Sequence, residues 1–147
     1  MVERRVVDCA FCDIVAGAPA ALVFEDAEVV AFLDVRPVFP GHVLVVPRAH
    51  VETLTDLPSN AVGPYFTVVQ RIAGAVERAM KAGGTFVAIN NRVSQSVAHL
   101  HCHVVPRTKG DGLRGFFWPR RPYGSPDEMA TVAAAIAREA GWTLAQG

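Results

Sequence analysis

The sequence predicts an α+β protein: a mostly antiparallel five-stranded sheet with one long helix, a short N-terminal helix and a C-terminal helix. Two observations support this fold class. Short apolar segments separated by Gly and Pro have the composition of strands, and one long helical pattern lies between the third and the fourth of them. The other connections are too short for crossover helices, so neighbouring strands should run antiparallel.

Five strands are predicted, over Val23–Phe24, Glu28–Val35, His42–Val46, Thr85–Asn90 and His99–Val105. A tight turn of three residues joins the first two strands. Pro47 should end the third strand, because proline has no N–H to donate to a ladder.

Three helices are predicted. The first is a short turn around Phe11, and the longest runs from about Asn60 to Ala82. Its apolar residues recur at spacings of three and four and form one stripe, and two glycines then end it. The segment Ser125–Glu128 has the form of a capping box with Pro at the first helical position, so the last helix should extend from there to about Ala140.

Length and composition narrow the class of protein. The chain has 147 residues, of which 51% are hydrophobic and 19% charged, so it can bury a core as one domain. Its 14 basic and 14 acidic residues balance, which disfavours a membrane surface or a nucleic acid as partner. The sequence has neither a spanning segment nor a signal peptide pattern, and we expect a cytoplasmic protein.

Three of the five histidines lie in the segment His99-Leu100-His101-Cys102-His103. Side chains on a strand alternate between faces, so the three imidazoles should share one face and Leu100 and Cys102 should face the core. Burying three imidazoles on one face costs free energy, so their presence indicates a functional role. Two chemistries fit: ligation of zinc, or attack of an imidazole nitrogen on phosphorus to form a covalent intermediate.

Attack on phosphorus also requires groups that hold phosphate oxygens. The usual glycine-rich phosphate loops are absent. Hydroxyl and amide side chains precede the histidine strand instead, at Asn90, Asn91, Gln95 and Ser96.

A second motif, Cys9-x-x-Cys12, is half of a zinc site, although a redox motif or two cysteines without metal are alternatives. The remaining ligands must then be histidines, since no other cysteine is suitably placed. His50 follows the end of a strand, and His99 is the first of the row. A site with these four ligands would be closed and therefore structural.

With these residues, the chain resembles the histidine-triad (HIT) superfamily of nucleotide hydrolases and transferases. Residues 99–105 match the signature His-φ-His-φ-His-φ-φ, where φ is apolar, and further matches lie at 31–34, 40–47 and 95–96. The resemblance extends from about Cys9 to Arg107. It implies a single HIT-like domain over 1–147, with residues 108–147 as a family-variable C-terminal extension.

The resemblance implies roles for individual residues. His101 is similar to the nucleophile that takes the nucleotidyl group, and His103 to a partner on the phosphate side. The backbone carbonyl after the first histidine would orient the ring of the nucleophile. His42 looks like a supporting residue behind these two, and Ser96 completes the expected catalytic set.

The nucleotide-binding residues are implied in the same way. Asp34 is similar to the acidic residue that holds the ribose hydroxyls. Asn90, Gln95 and Ser96 look like contacts to the phosphate or leaving group, together with His101 and His103. The walls of the base pocket would be Phe11, Ile14, Phe32 and Val35.

The family also implies a cofactor and a partner. Zinc-bearing members hold a structural zinc ion with residues that match Cys9, Cys12, His50 and His99, and they need no catalytic cofactor. A homodimer through the long helix and the strand after it is implied. The substrate would be a small purine nucleotide.

The chain departs from the family at two places. Ser94 stands where a glycine is usual, and that glycine would let backbone N–H groups approach a phosphate closely. Beyond Arg107, the basic residues Lys109, Arg114, Arg120 and Arg121 flank Phe116-Phe117-Trp118. This segment either packs as an aromatic tail, steers a polyphosphate, or stacks on single-stranded nucleic acid.

Together these features predict a two-step transfer at the α-phosphorus of a purine nucleotide conjugate, as in a nucleoside phosphoramidase or dinucleoside polyphosphate hydrolase. Phosphoramidates, dinucleoside polyphosphates and adenylated adducts all suit the same nucleophile. One alternative is a hydrolase with a catalytic zinc ion on His99, His101 and His103. The other is a nucleotide-sensing scaffold without turnover.

Overall fold

A computed structural model describes residues 8–114 and 120–141. Its helices and strands are α1 Ala10–Val15, β1 Leu22–Glu25, β2 Val29–Leu33, β3 Val43–Pro47, α2 Ser59–Ala79, β4 Gly84–Ala88, β5 Cys102–Arg107 and α3 Pro126–Glu139. A short 3-10 turn, Leu54–Asp56, precedes α2. The predicted α+β fold class is confirmed. The predicted aromatic tail, residues 116–118, lies outside the described residues.

The five strands form one antiparallel sheet in the order β1-β2-β3-β5-β4. The helix α2 carries the chain from β3 to the edge strand β4, and β5 then returns between the two. This order places the histidine-bearing segment in the interior of the sheet rather than at an edge.

Both faces of the sheet are covered. Residues Val29, Ala31, Val43 and Val45 pack with the apolar stripe of α2, whose Tyr65 hydroxyl donates to the Val45 carbonyl at 2.7 Å. The alternate residues of the same strands face the opposite side, where they form a second apolar cluster with α1; they are Val30, Phe32, Leu44 and Val46. The candidate site lies on this second side.

The strand that carries the histidines begins later than predicted, at Cys102 instead of His99. The Leu100 N–H donates to the Val51 carbonyl at 2.7 Å, which ties the segment to the loop after β3 instead of to a strand. The predicted alternation nevertheless holds, because Leu100, Cys102 and Val104 lie in the α2-side core.

Other boundaries also differ from the predictions. β2 ends at Leu33 because Asp34 begins a turn, in which its carboxylate accepts from the Arg36 N–H at 2.9 Å. α2 ends at Ala79 instead of Ala82, before Lys81 adopts a left-handed φ of 51°. β4 ends at Ala88, so the predicted phosphate contact Asn90 follows the strand.

The chain divides into two compact units between Asp111 and Gly112. The second unit contains α3, whose predicted cap is present: the Ser125 hydroxyl accepts from the Glu128 N–H at 3.0 Å. The single domain with an extension over 108–147 stays a prediction. Across the described residues, no helix is both long and apolar enough to pass through a bilayer.

Candidate active site and metal centre

His101 lies just before β5, and the rest of the chain fixes its tautomer. The side chain is 3% exposed, and its Nδ1 lies 2.8 Å from the backbone carbonyl of His99. A carbonyl oxygen can only accept, so Nδ1 must carry the proton. In the neutral ring the other nitrogen, Nε2, then has the lone pair, which is the form that a nucleophile requires.

A chain of hydrogen bonds fixes His42 and His103 in the same way. The Val38 N–H donates to His42 Nδ1 at 3.1 Å, so the proton of His42 must be on Nε2. That Nε2–H faces His103 Nδ1 at 3.0 Å, and His103 must accept there and carry its own proton on Nε2. His103 thus presents an N–H donor, whereas His101 presents a lone pair, and their ring centroids are 4.9 Å apart.

Burial keeps both supporting imidazoles neutral. Burial, together with the neighbouring imidazoles of His101 and His42, lowers the pKa of His103 to about 4. Burial also lowers the pKa of His42, while the Asp34 carboxylate, 3.7 Å away, acts in the opposite direction. The lowered pKa values therefore agree with the hydrogen bonds, which place one proton on His42 and one on His103.

An apolar wall stands beside His101. The ring of Phe11 meets His101 edge to face at a centroid distance of 5.1 Å and Phe32 at 5.4 Å. Ile14 packs against the same cluster. Three of the four predicted base-pocket residues are thus together. The fourth, Val35, is 93% exposed on the turn after β2, apart from this cluster.

The predicted phosphate contacts lie on the loop before the histidines. The side chains of Asn90 and Ser96 are exposed and form no hydrogen bond with the described part of the chain, so both are free to meet a ligand. Asn91 instead accepts from the Leu54 N–H at 2.9 Å. Gln95 is also engaged, since its amide donates to the Glu52 carbonyl at 2.6 Å and accepts from the Arg92 N–H at 2.8 Å.

This loop holds two residues in the left-handed region, Arg92 at φ 67° and Ser94 at φ 60°. Ser94 is the position where a glycine was expected from the family pattern. The backbone therefore adopts a glycine-like conformation without glycine, at a cost of roughly 1–2 kcal/mol for a residue with a side chain.

The structure brings all four predicted metal ligands together in a second cluster. Their ligand atoms lie within 4.8 Å of one another: Sγ of Cys9 and Cys12, and Nδ1 of His50 and His99. The two nitrogens are 3.2 Å apart, His99 Nδ1 lies 3.5 Å from each sulfur, and His50 Nδ1 lies 3.2 Å from Cys12 Sγ. Tetrahedral zinc would place such pairs about 3.3 Å and about 3.5 Å apart, so the donors fit this ion.

His99 is oriented to serve as a ligand. Its Nε2–H donates to the Pro47 carbonyl at 2.8 Å, which leaves the lone pair of Nδ1 aimed at the cluster. Burial lowers the pKa of His99, which favours the neutral ring that a metal needs. Burial, together with the neighbouring Cys9 thiol, raises the pKa of Cys12 to about 11. A bound cation would favour the thiolates instead.

The geometry argues against a metal ion shared by His99, His101 and His103. Both nitrogens of His99 already face other groups, and Nδ1 of His101 is tied to a carbonyl. A cation between Asp34, His42 and His103 is disfavoured for a related reason. The Val38 N–H occupies His42 Nδ1, so the nitrogen that would bind the ion carries the proton.

The sequence did not identify three backbone groups that orient side chains of the site. They are the Val38 N–H, the Pro47 carbonyl and, for Gln95, the Glu52 carbonyl. No residue signature marks them, because every amino acid except proline carries the same donor and acceptor.

Comparison with known proteins is consistent with this geometry. The HIT domain family model matches residues 16–110. The protein named hit from Bacillus subtilis is 36% identical over 135 residues, which cover 89% of this chain and 93% of that protein. The crystal structure of a HIT family member from the same organism has a TM-score of 0.81 and 36% identity, and the match covers 89% of this chain and 96% of that one.

Other matches carry more specific names. A zinc-bound histidine triad family protein from Mycobacterium smegmatis is 39% identical with a TM-score of 0.68, over 91% of this chain and 96% of that one. An adenylylsulfatase from Arabidopsis thaliana is 32% identical over 72% of this chain and 55% of its own length. An asymmetrical bis(5′-nucleosyl)-tetraphosphatase from Schizosaccharomyces pombe is 36% identical over 55% of this chain and 46% of its own length.

Proposed function

The chain belongs to the HIT family, and from that premise we propose that it transfers the nucleotidyl group of a purine nucleotide conjugate first to His101 and then to water. One observation carries the proposal. The hydrogen bond of 2.8 Å from His101 Nδ1–H to the His99 carbonyl holds the ring in one orientation and, in the neutral ring, assigns the lone pair to Nε2. A fixed nucleophile with a free lone pair is what covalent catalysis requires.

In the first step, the Nε2 lone pair of His101 forms a bond to the α-phosphorus. The bond from phosphorus to the leaving group breaks, and its electron pair departs with the leaving group. The imidazole then carries a positive charge, which the His99 carbonyl stabilises through the Nδ1–H that it already accepts. His103, whose Nε2–H is not used by His42, can donate to the departing atom or to a phosphoryl oxygen.

In the second step, water attacks the phosphorus of the nucleotidyl-histidine. The N–P bond breaks, the electron pair returns to Nε2, and the proton that the water loses passes to His103 Nε2, in place of the proton that His103 gave to the leaving group in the first step. Nucleoside monophosphate leaves and the starting tautomer is restored. The exposed side chains of Asn90 and Ser96 would hold the equatorial oxygens in both steps, since neither is engaged elsewhere in the described chain.

The substrate class follows from the nucleophile and the pocket. Phe11 and Phe32 offer an apolar wall for a purine ring, and Asp34 offers a carboxylate for ribose hydroxyls. The two relatives with named activities are an adenylylsulfatase and a dinucleoside tetraphosphatase. Phosphoramidates, dinucleoside polyphosphates and adenylated adducts are therefore all proposed substrates.

We also propose that Cys9, Cys12, His50 and His99 hold a structural zinc ion. The donor distances support this, and a zinc-bound homologue shares 39% of its sequence. When bound, the ion would crosslink the N-terminal segment to the sheet. Three free cysteines, two of them ligands, suit the reducing environment of a cytoplasm.

A homodimer through α2 and β4 completes the proposal. β4 lies at one edge of the sheet, and within the described residues no further strand pairs with its outer side. Its Val87 side chain is 43% exposed. Light scattering should report twice the chain mass, and a monomeric mass at micromolar concentration would rule out this part of the proposal.

The catalytic proposal is tested by measuring AMP release from adenosine 5′-phosphoramidate. Wild type should turn over, and His101→Ala should lose at least about 10³-fold in kcat, because the covalent route disappears. The Asp13→Asn variant, changed on the exposed side of α1, serves as the matched control and should keep full activity. Equal rates for wild type and His101→Ala would refute the nucleophile. AMP binding without turnover of any of the three substrate classes would favour a scaffold protein.

A further inference from the structure

The short helix α1 belongs to the metal centre and to the nucleotide pocket at once. Its N-cap is Cys9, whose Sγ accepts from the Cys12 N–H at 3.3 Å, so two of the four donors form the first turn of the helix. Between them in the sequence stands Phe11. Its ring lies 6.0 Å from the ring of His99 and 5.1 Å from that of His101.

Little besides these side chains holds α1 in place. The helix has six residues, and helices of this length are unstable in water by themselves. Over residues 9–18, the backbone hydrogen bonds in the described structure are all local, such as Asp13 N–H to the Cys9 carbonyl and Ala16 N–H to the Cys12 carbonyl. The remaining anchors are the apolar contacts of Phe11, Ile14 and Val15 with the sheet.

The hydrogen bonds that hold His101, by contrast, do not involve α1. Its Nδ1–H donates to the His99 carbonyl, and His99 is anchored through Nε2–H to the Pro47 carbonyl at 2.8 Å. The intervening Leu100 donates its N–H to the Val51 carbonyl at 2.7 Å and is fully buried. These bonds connect the nucleophile to β3 and to the loop after it, and none of them involves the Cys9 or Cys12 side chain.

We propose that metal occupancy of the Cys9/Cys12/His50/His99 cluster controls nucleotide affinity through Phe11, while the reactivity of His101 is insulated from the metal. A bound ion fixes α1, and α1 fixes the Phe11 wall of the base pocket. Loss of the ion frees α1 and removes that wall, but it leaves the hydrogen bond that orients the nucleophile. The inference rests on the proposed function, because it concerns the affinity of the same pocket for a nucleotide.

The test compares protein loaded with one equivalent of Zn²⁺ and protein stripped with a chelator. Calorimetry with AMP should show a dissociation constant about tenfold higher after stripping, the scale of one lost aromatic contact with a base. With adenosine 5′-phosphoramidate, KM should rise in parallel while kcat stays within about threefold. Amide exchange should show lost protection at Asp13, Ala16 and Ala18 and unchanged protection in β3.

A double-mutant cycle tests whether the metal affects nucleotide affinity through Phe11. Phe11→Ala should weaken AMP binding in the loaded protein, and stripping this variant should then change the dissociation constant less than about twofold. Asp13→Asn, an exposed change on the same helix, should retain the full metal dependence of wild type. If stripped wild type unfolds, His50→Ala keeps three donors, and its AMP affinity should rise with Zn²⁺ concentration.

Two results would overturn the inference. An equal effect of stripping on wild type and Phe11→Ala would show that the metal acts by another route. A fall in kcat with unchanged AMP affinity would show that the metal acts on His101. Failure of the loaded wild type to bind AMP refutes the proposed function itself, and unchanged AMP affinity after stripping refutes only the coupling.

Discussion

The two histidine clusters of this protein differ in what their imidazole nitrogens face. In the metal centre, Nδ1 of His50 and Nδ1 of His99 point at each other from 3.2 Å, a distance that suits two lone pairs sharing a cation. In the proposed active site, His101 and His103 each have one nitrogen tied to a protein partner and the other left for a ligand. The partner of the tied nitrogen therefore decides whether an imidazole ligates, attacks or donates.

His99 shows that the two clusters are adjacent and still distinct. Its side chain belongs to the proposed metal centre, and its backbone carbonyl belongs to the proposed active site. Because the two functions use different atoms of one residue, a change at a ligand and a change at a catalytic ring should give separable effects.

Removing a metal ligand should reduce stability most. Cys12→Ser should lose the ion and lower the free energy of unfolding by about 3 kcal/mol or more, since metal binding to a preformed site adds directly to folding stability. For a chain of this size that corresponds to a fall in Tm of roughly 10 °C. Calorimetry with metal analysis measures both quantities. Full metal content with an unchanged Tm would contradict the assigned ligands, and Cys102→Ala, outside the cluster, is the control for losing a thiol.

Breaking the hydrogen-bond chain behind His103 should affect catalysis and not the metal. His42→Phe keeps a buried ring but removes the donor to His103 Nδ1. We expect kcat to fall by roughly 10-fold to 100-fold, as for other residues that orient a functional group. Bound zinc should stay at one equivalent. A variant that lost zinc along with activity would show that the two clusters are not separable.

Acid should weaken the folded state through His103. Its pKa is about 4 when folded and near 6.5 when unfolded, so between these values the unfolded chain binds more protons. The free energy of unfolding should therefore fall by roughly 1–2 kcal/mol as the pH drops from 6.5 to 4. This is less than the whole pKa difference would give, because the ring is only half-buried and solvent screens it.

Urea unfolding of metal-loaded wild type and His103→Gln, compared at each pH, isolates this contribution. Acid also protonates the metal ligands, but that effect is common to both proteins and cancels in the difference. The variant should show the shallower decline between pH 6.5 and 4. Identical pH profiles would mean that His103 titrates alike in the folded and unfolded chain.

The smallest effect is expected at Ser94, at φ 60°. Ser94→Gly should relieve the strain of a left-handed residue and lose part of that gain to the greater freedom of glycine in the unfolded chain. The net stabilisation is about 0.5 kcal/mol. Ser94→Ala keeps the strain and is the matched control for losing the hydroxyl. A loss of stability with glycine would point to a contact made by the serine side chain.

Much of this arrangement could be predicted from the sequence, because it depends on residue type and spacing. The alternation of Leu100 and Cys102 with the histidines follows from the period of two in an extended chain, even though the strand itself begins later. The four donors of the metal cluster also come together as predicted, because Cys-x-x-Cys on one turn of helix places both sulfurs near one point.

What the sequence did not predict depends on the backbone. The turn after β2 leaves Val35 93% exposed, and the Val38 N–H that sets the tautomer of His42 has no signature in the sequence. The hydrogen bond by which the amide of Gln95 fixes the loop to the Glu52 carbonyl has no signature in the sequence either. These arrangements arise from packing between segments distant in sequence, and local pattern does not encode them.

The proposed reaction requires His101 Nε2 to become covalently attached to the nucleotide. Rapid acid-free quenching of the enzyme with adenosine 5′-phosphoramidate, followed by mass spectrometry of its peptides, detects that bond. We expect an adenylyl group on the peptide that contains His101, and none on the same peptide of the His101→Ala variant. Steady-state AMP release by wild type with no adduct at any quench time, or with an adduct on His103 instead, would contradict the claim.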